Sequence, residues 1–345
     1  MRGQGIAFVC SVLLMAVASP AHAQLSKEWT SCLNKGGKLS PDLAISGCTA
    51  IIQSGKESEK NLAVAFDNRG LAYRRKEQYG RAIEDYSQAI RLDPGAAGAF
   101  YGRGTLYLET GQYERAIADF NETIRLDPQY TSAFNNRGNA FALQGQYDRA
   151  IDDYNAVIRL HPSHANALNG RGSAYSRKGK YDWAIEDFTQ AIALSPTDAL
   201  PLSNRGNASS MKGDYLRAID DFNRAIRLDP NNADAFNGRC WARAVLGRDL
   251  REALKDCNEA VRLDPEYANA LDSRAFVYLK LGQLDAAIAD YDARSTLEPQ
   301  SAQSLYGRGY AKQKKGNGDD GAADIDAARA LQPDIAEEYA RYGLK

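Results

Sequence analysis

Arg91-Leu92-Asp93-Pro94, Arg125-Leu126-Asp127-Pro128 and Arg262-Leu263-Asp264-Pro265 are copies of one stop signal, and the distance between copies decides the fold. Proline stands at 94, 128, 162, 196, 230, 265, 299 and 333, a step of 34 residues broken once by 35. A fixed period of this size marks stacked repeats, each a single supersecondary unit. Each proline follows an apolar-periodic stretch that it cannot continue as helix, so each closes a helix.

Working back from Pro94, one unit carries Phe66, Gly70 and Tyr73 at helical spacing, a break at Gln78-Tyr79, then Ala82, Tyr86 and Ala89 at helical spacing again. A repeat is therefore helix A, turn, helix B, stop. Small residues recur at one site of helix A (Gly70, Gly104, Gly138, Gly172, Gly206) and one of helix B (Ala82, Ala116, Ala150, Ala184, Ala218), which allows the paired helices to approach closely. The units fall at 63–96, 97–130, 131–164, 165–198, 199–232, 233–267, 268–301 and 302–335. The extra residue between Pro230 and Pro265 is expected in the A-to-B turn around Gly247 to Leu250.

Period, small sites, aromatic sites and closing proline together resemble the tetratricopeptide repeat family, over residues 63–335. The resemblance implies an all-α, right-handed superhelical solenoid of about eight helix-turn-helix repeats. Residues 24–62, with helix-like stretches around Trp29 to Asn34 and Asp42 to Ser54, are expected to form an N-terminal cap hairpin. Residues 336–345 are expected to form a C-terminal capping helix. The family binds proteins or peptides, so the resemblance implies a scaffold whose helices A line a concave groove. The rival expectation is an accessory subunit of an envelope assembly, docking through its outer face and caps. Family members that grip a C-terminal carboxylate use Lys and Asn at set helix A sites. Here the first such site reads Asp67, Tyr101, Asn135, Asn169, Ser203 and Asn237, so that clamp is not carried over.

A second departure is the Arg that precedes the helix A small site, where the family usually has Leu: Arg69, Arg103, Arg137, Arg171, Arg205, Arg239, Arg274 and Arg308. Helix B offers a matching series, Asp85, Asp119, Asp153, Asp187, Asp221, Asp256, Asp290 and Asp324. An active site needs one constellation and not a copy per unit, so the series reads as a structural ion-pair ladder. Adjacent carboxylates such as Asp152-Asp153 point in different directions on a helix and cannot flank a substrate bond. His161 and His164 have no neighbouring Cys or His, so no metal is expected, nor any other cofactor. No nucleophile elbow or phosphate loop is present, and no catalytic residue is assigned: the chain reads as a non-enzyme.

The groove candidates lie on one face of helix A. Asn135, Asn136, Asn139, Asn169, Asn204, Asn207 and Asn237 give way towards the C-terminal end to Trp241, Phe276, Tyr306 and Tyr310. An amide offers donor and acceptor together, so a row of them can pair with an extended peptide's backbone. The series resembles the asparagine ladder in the repeat domain of the O-GlcNAc transferases.

Net charge is −1, from 43 Lys+Arg against 44 Asp+Glu. No global basic field therefore draws in nucleic acid or an anionic membrane. Residues 1–23 read as a secretory signal peptide: Arg2, the apolar run Ile6 to Val17, and the small-x-small triplet Ala21-His22-Ala23. That run is too short to span a bilayer, so no membrane insertion is expected, and the location reads as periplasmic or secreted. An oxidising compartment would allow two local disulfides, Cys32–Cys48 and Cys240–Cys257. In the sixth unit Cys240 takes the helix A small site and Cys257 the helix B aromatic site.

Overall fold

The computed structural model describes residues 26–34 and 37–344. The leader read at 1–23 lies outside the described residues. Every regular element among the described residues is an α-helix. A short pair, α1 (Lys27–Leu33) and α2 (Pro41–Ser54), comes first. The A and B helices of the eight units follow: α3 (Glu59–Arg75) and α4 (Tyr79–Leu92), α5 (Ala97–Glu109) and α6 (Tyr113–Leu126), α7 (Thr131–Leu143) and α8 (Tyr147–Leu160), α9 (Ala165–Arg177) and α10 (Tyr181–Leu194), α11 (Ala199–Met211) and α12 (Tyr215–Leu228), α13 (Ala233–Leu246) and α14 (Leu250–Leu263), α15 (Ala268–Lys280) and α16 (Leu284–Leu297), α17 (Ala302–Lys315) and α18 (Gly318–Leu331). A last short helix, α19 (Ile335–Arg341), closes the chain.

The first A helix begins at Glu59 and not at 63, because Ser58 caps it: its side chain accepts from the Asn61 N–H. The described residues fall into two compact parts, one ending at Leu106 and the other beginning at Tyr107, inside α5.

The stop signal has a local mechanism. The residue before proline is driven out of the helical region, and Asp93 and Asp127 end their helices in extended conformation. Their side chains then accept from the N–H two residues on, at Gly95 and Gln129, an Asx turn that launches the next unit. His161 replaces this Asp, and His164 caps α9 by accepting the Ala167 N–H at Nδ1. Both histidines thus serve helix ends. In the sixth unit α13 runs one residue longer, and its turn places Gly247 and Asp249 in left-handed conformation, at the position expected for the inserted residue.

Each helix B aromatic is the core of its unit and also a joint to the next. A Cβ added at Gly70, in the same unit as Tyr86, would meet that ring at 3.1 Å, and one at Gly102, in the next, at 2.6 Å. Tyr154 sits in the same way between Gly138 and Gly170, and Phe222 between Gly206 and Gly238. Only a bare backbone admits a ring this close. Cysteines take these sites in two hairpins: Cys32–Cys48 joins α1 to α2 and Cys240–Cys257 joins α13 to α14, with Cα atoms 4.5 and 5.4 Å apart. The cap hairpin is therefore built as a degenerate repeat.

Candidate binding surface on the inner face of the A helices

Among the described residues of Tyr107–Lys345 the backbone of each A helix comes close to that of the next A helix, α7 to α9 and onward to α17, whereas no B helix backbone comes as close to the next B helix. Elements that crowd together lie on the inside of a bend, so helices A form the inner face of this part. The sequence-derived groove residues all sit on these helices.

What holds that face rigid is the Arg series. Arg137, Arg171, Arg205, Arg239, Arg274 and Arg308 each give Nε and one terminal nitrogen to both oxygens of the Asp in their own helix B, at 2.5 to 2.9 Å. Arg69 does the same with Asp85 in the N-terminal part. The remaining nitrogen reaches back to the preceding helix B: Arg171 to Asn155, Arg205 to Thr189 and Arg239 to Asn223. Arg103 donates likewise to Ser87, and Arg69 to Thr49 of the cap hairpin. One guanidinium thus closes its own hairpin and staples it to its neighbour, which Lys could not do with a single point charge. Burial is deepest at Asp221, 1% exposed. The Asp bonds hold the guanidinium of Arg171 more firmly protonated than usual.

Sequence reasoning missed this third arm. The signal was present, since the residue after the helix B aromatic site is polar: Ser87, Asn121, Asn155, Thr189, Asn223, Asn258, Asp292.

The amides of the Asn series are engaged unevenly. Asn139 accepts the Tyr154 hydroxyl at 2.7 Å, and Asn204 donates to Asn169 at 3.0 Å. Asn135 leans on Asn136, and Asn237 on the Tyr267 hydroxyl. Asn207 is exposed. The Oδ1 atoms of Asn135 and Asn237 are buried with no partner in the structure. Asn136 and Asn204 occupy the joint site that is glycine at Gly102, Gly170 and Gly238, so packing at the unit boundary governs that site. Beside Asn139 lies a hollow of about 640 Å³ walled by Leu108, Leu143, Tyr147, Ser173 and Arg177. Leu143 in its wall is 61% exposed.

The aromatic end is a correction to the sequence reading. Trp241, Phe276 and Tyr306 do not form an open pocket, because residues 335–344 fold back over them. The Tyr339 ring lies 4.8 Å from that of Tyr306 and 5.8 Å from that of Phe276, and Tyr342 lies 5.2 Å from Trp241. Phe276 is 0% exposed. Tyr310 is partly buried and packs in a cluster that includes Leu344. The expected C-terminal cap is thus a groove filler as well as an end piece.

Two acidic residues share the site of Asn135, and burial lifts both: Asp67 is pushed up to about 6. Asp272 is raised by burial against the opposing pull of its Ser304 and Arg294 bonds. Among the described residues no group of three His, Cys, Asp or Glu side chains is arranged to hold a metal ion, and no helix is long and apolar enough to cross a membrane.

Residues 68–131 and 135–199 match one model of the tetratricopeptide repeat, and residues 199–232 match another. No curated protein matches the sequence. Among solved structures the chain is similar to one from the APC/C hetero-tetramer Cut9-Hcn1, at 20% identity and a TM-score of 0.62, covering 78% of this chain and 52% of that one. This chain therefore spans about half the length of that protein. A tetratricopeptide repeat protein from Parabacteroides merdae is 18% identical with a TM-score of 0.58, over 77% of this chain and 98% of its own. The C-terminal part of a TPR repeat-containing protein from Cytophaga hutchinsonii is 19% identical with a TM-score of 0.51, over 70% and 98%.

Proposed function

Since the chain belongs to the tetratricopeptide-repeat family, we propose that it is a non-catalytic scaffold of the cell envelope that binds a partner protein or an extended peptide on the inner face of its A helices. The observation that carries this is the open stretch along α7, α9 and α11. Asn207 and Leu143 are exposed there, and the hollow beside Asn139 combines apolar walls with amide and guanidinium groups. Concave, largely apolar sites with a few polar groups are where ligands bind, and a stapled scaffold presents them without an ordering penalty. The envelope location rests on the leader-like residues 1–23 and on two disulfides, which persist in oxidising compartments.

The outer-face reading has one observation in its favour: Trp183 on α10 is 52% exposed, flanked by Tyr175 and by the Lys180 ammonium. The test is capture of partners from the envelope fraction by three forms of the protein: wild type, Leu143→Glu with Asn207→Ala, and Trp183→Ala. Both variants change exposed side chains and are expected to stay folded. Loss of the captured partner with the first variant alone supports the inner face. Loss with Trp183→Ala alone moves the site to the outer face.

A further inference from the structure

The C-terminal segment is seated unlike a terminal cap. A cap needs to cover only α17 and α18, yet this one reaches Phe276 on α15 and Trp241 on α13. Glu338 acts electrostatically on Tyr215 at the start of α12. Ile335 and Tyr339 are buried, and with Tyr342 they stand at i, i+4 and i+7, one face of a helix. The Tyr339 hydroxyl donates to the Gln303 carbonyl at 2.8 Å, so the ring is buried and its polar end satisfied. This is how an amphipathic helix lies in a groove, with anchors entering an apolar floor.

The same segment has little to hold it on its own. α19 has seven residues, and isolated helices below about 12 to 15 residues are marginal in water. Its order therefore comes from the floor it covers, and elements of this kind open at a fraction of the global free energy. The floor itself, formed by Trp241, Phe276 and Tyr306, belongs to helices locked by the Arg clamps and, at α13, by the Cys240–Cys257 disulfide.

We infer that the inner face of α13, α15 and α17 is a receptor for a partner's short amphipathic helix with aromatic or aliphatic residues at i, i+4 and i+7, and that residues 334–344 are its resident competitor, displaced when the partner binds. This deepens the inner-face reading and rests on it. The occupant's chemistry is given by the segment already seated there: an aliphatic anchor, two tyrosines, and a carboxylate beside the second anchor.

The experiment uses the full chain and a labelled synthetic peptide of residues 332–345, with binding read by fluorescence anisotropy. In the Tyr339→Ala/Tyr342→Ala variant the tail is weakened, and the peptide is expected to bind saturably. Wild type is expected to bind at least about tenfold more weakly, which corresponds to about 1.4 kcal/mol of competition from the resident tail. Equal binding to both, or no binding to a variant that still unfolds cooperatively, overturns the inference. Hydrogen exchange on wild type gives an independent arm: the amides of 335–342 are expected to exchange at least tenfold faster than those of α17. Exchange of both only through global unfolding makes the tail a fixed part of the fold and overturns the inference, even if the double variant fails to fold. A wild-type dimer that the double variant dissociates assigns the face to a second copy, with the same consequence. If the peptide binds as expected but partner capture is insensitive to Leu143→Glu with Asn207→Ala, the broader inner-face reading fails while the self-seated helix stands.

Discussion

The inner face is built twice over in one scaffold. Along α7, α9 and α11 it is lined by amides and stays open, with Leu143 and Asn207 in solvent. Along α13, α15 and α17 it is lined by aromatic rings and is covered by the chain's own last residues. The Arg clamp is common to both stretches, from Arg137 to Arg308, so the difference does not lie in the scaffold. It lies in which side chain fills the site that is Asn139 in the third unit: Asn207, then Trp241, Phe276 and Tyr310. Exposed amides are solvated without penalty, whereas a row of exposed rings is an apolar patch that invites cover. The chain supplies that cover itself.

The largest expected effect separates the two stretches directly. Phe276→Ala removes a fully buried ring and should lower unfolding stability by about 3 to 5 kcal/mol, while Asn207→Ala should stay within about 0.5 kcal/mol of wild type. Urea titration followed by circular dichroism measures both. Similar losses at the two positions would mean that the stretches are packed alike, against the burial pattern.

The clamp tests the shared part of the comparison. Arg205→Ala leaves Asp221 buried without its partner and should cost about 3 to 5 kcal/mol. The surface stitch between Lys178 and Asp148, whose carboxylate is exposed, should contribute about 0 to 1 kcal/mol when Lys178→Ala is made. If Arg274→Ala under the covered stretch costs much more than Arg205→Ala under the open one, the scaffold is not uniform and the comparison needs redrawing. Removing the Cys240–Cys257 disulfide with Cys240→Ala/Cys257→Ala, which leaves Cys32–Cys48 in place, should follow, at about 2 to 4 kcal/mol, read as a shift of the unfolding midpoint.

Most of the fold was legible because period is a property of sequence alone. The step between prolines located the units, and the one 35-residue step located the longer α13 and its turn at Gly247 to Asp249. The Arg and Asp series was legible as a ladder, since a charge that recurs once per unit answers to architecture. The binding surface was less so. Helical spacing puts Phe276 and Asn207 on the same face of helix A, but exposure there depends on where a distant segment lies. Nothing local to Ile335, Tyr339 and Tyr342 states which floor they will meet. The amides were ambiguous for another reason: Asn139 and Asn169 satisfy neighbours as readily as they would satisfy a peptide, and the choice is set by tertiary placement.

A pH-dependent effect concerns the site that amides occupy at Asn135, Asn169 and Asn237 and that is a carboxylate at Asp67. Burial holds the Asp67 carboxyl at about 6 in the folded chain, against an ordinary value of about 3.9 in an unfolded one. Between these values the folded state keeps a proton that the unfolded state has released, so stability falls as pH rises from 4 to 6 and levels off above it. Partial solvent access reduces the size of the change, to about 1 to 2 kcal/mol. Asp67→Asn puts the amide of the other units at this site and removes the titration. It is expected to match wild type near pH 4 and to exceed it at pH 7.5, with the thermal midpoint measured at each pH as the difference between the two proteins. Other carboxylates, such as Glu57 held low by its Trp29 and Asn61 bonds, pull the absolute curve the opposite way and cancel in that difference. A variant that gains nothing at pH 7.5 would show that charge at this site is solvated as well as an amide is, and that Asn there is chosen for its contacts and not for its neutrality.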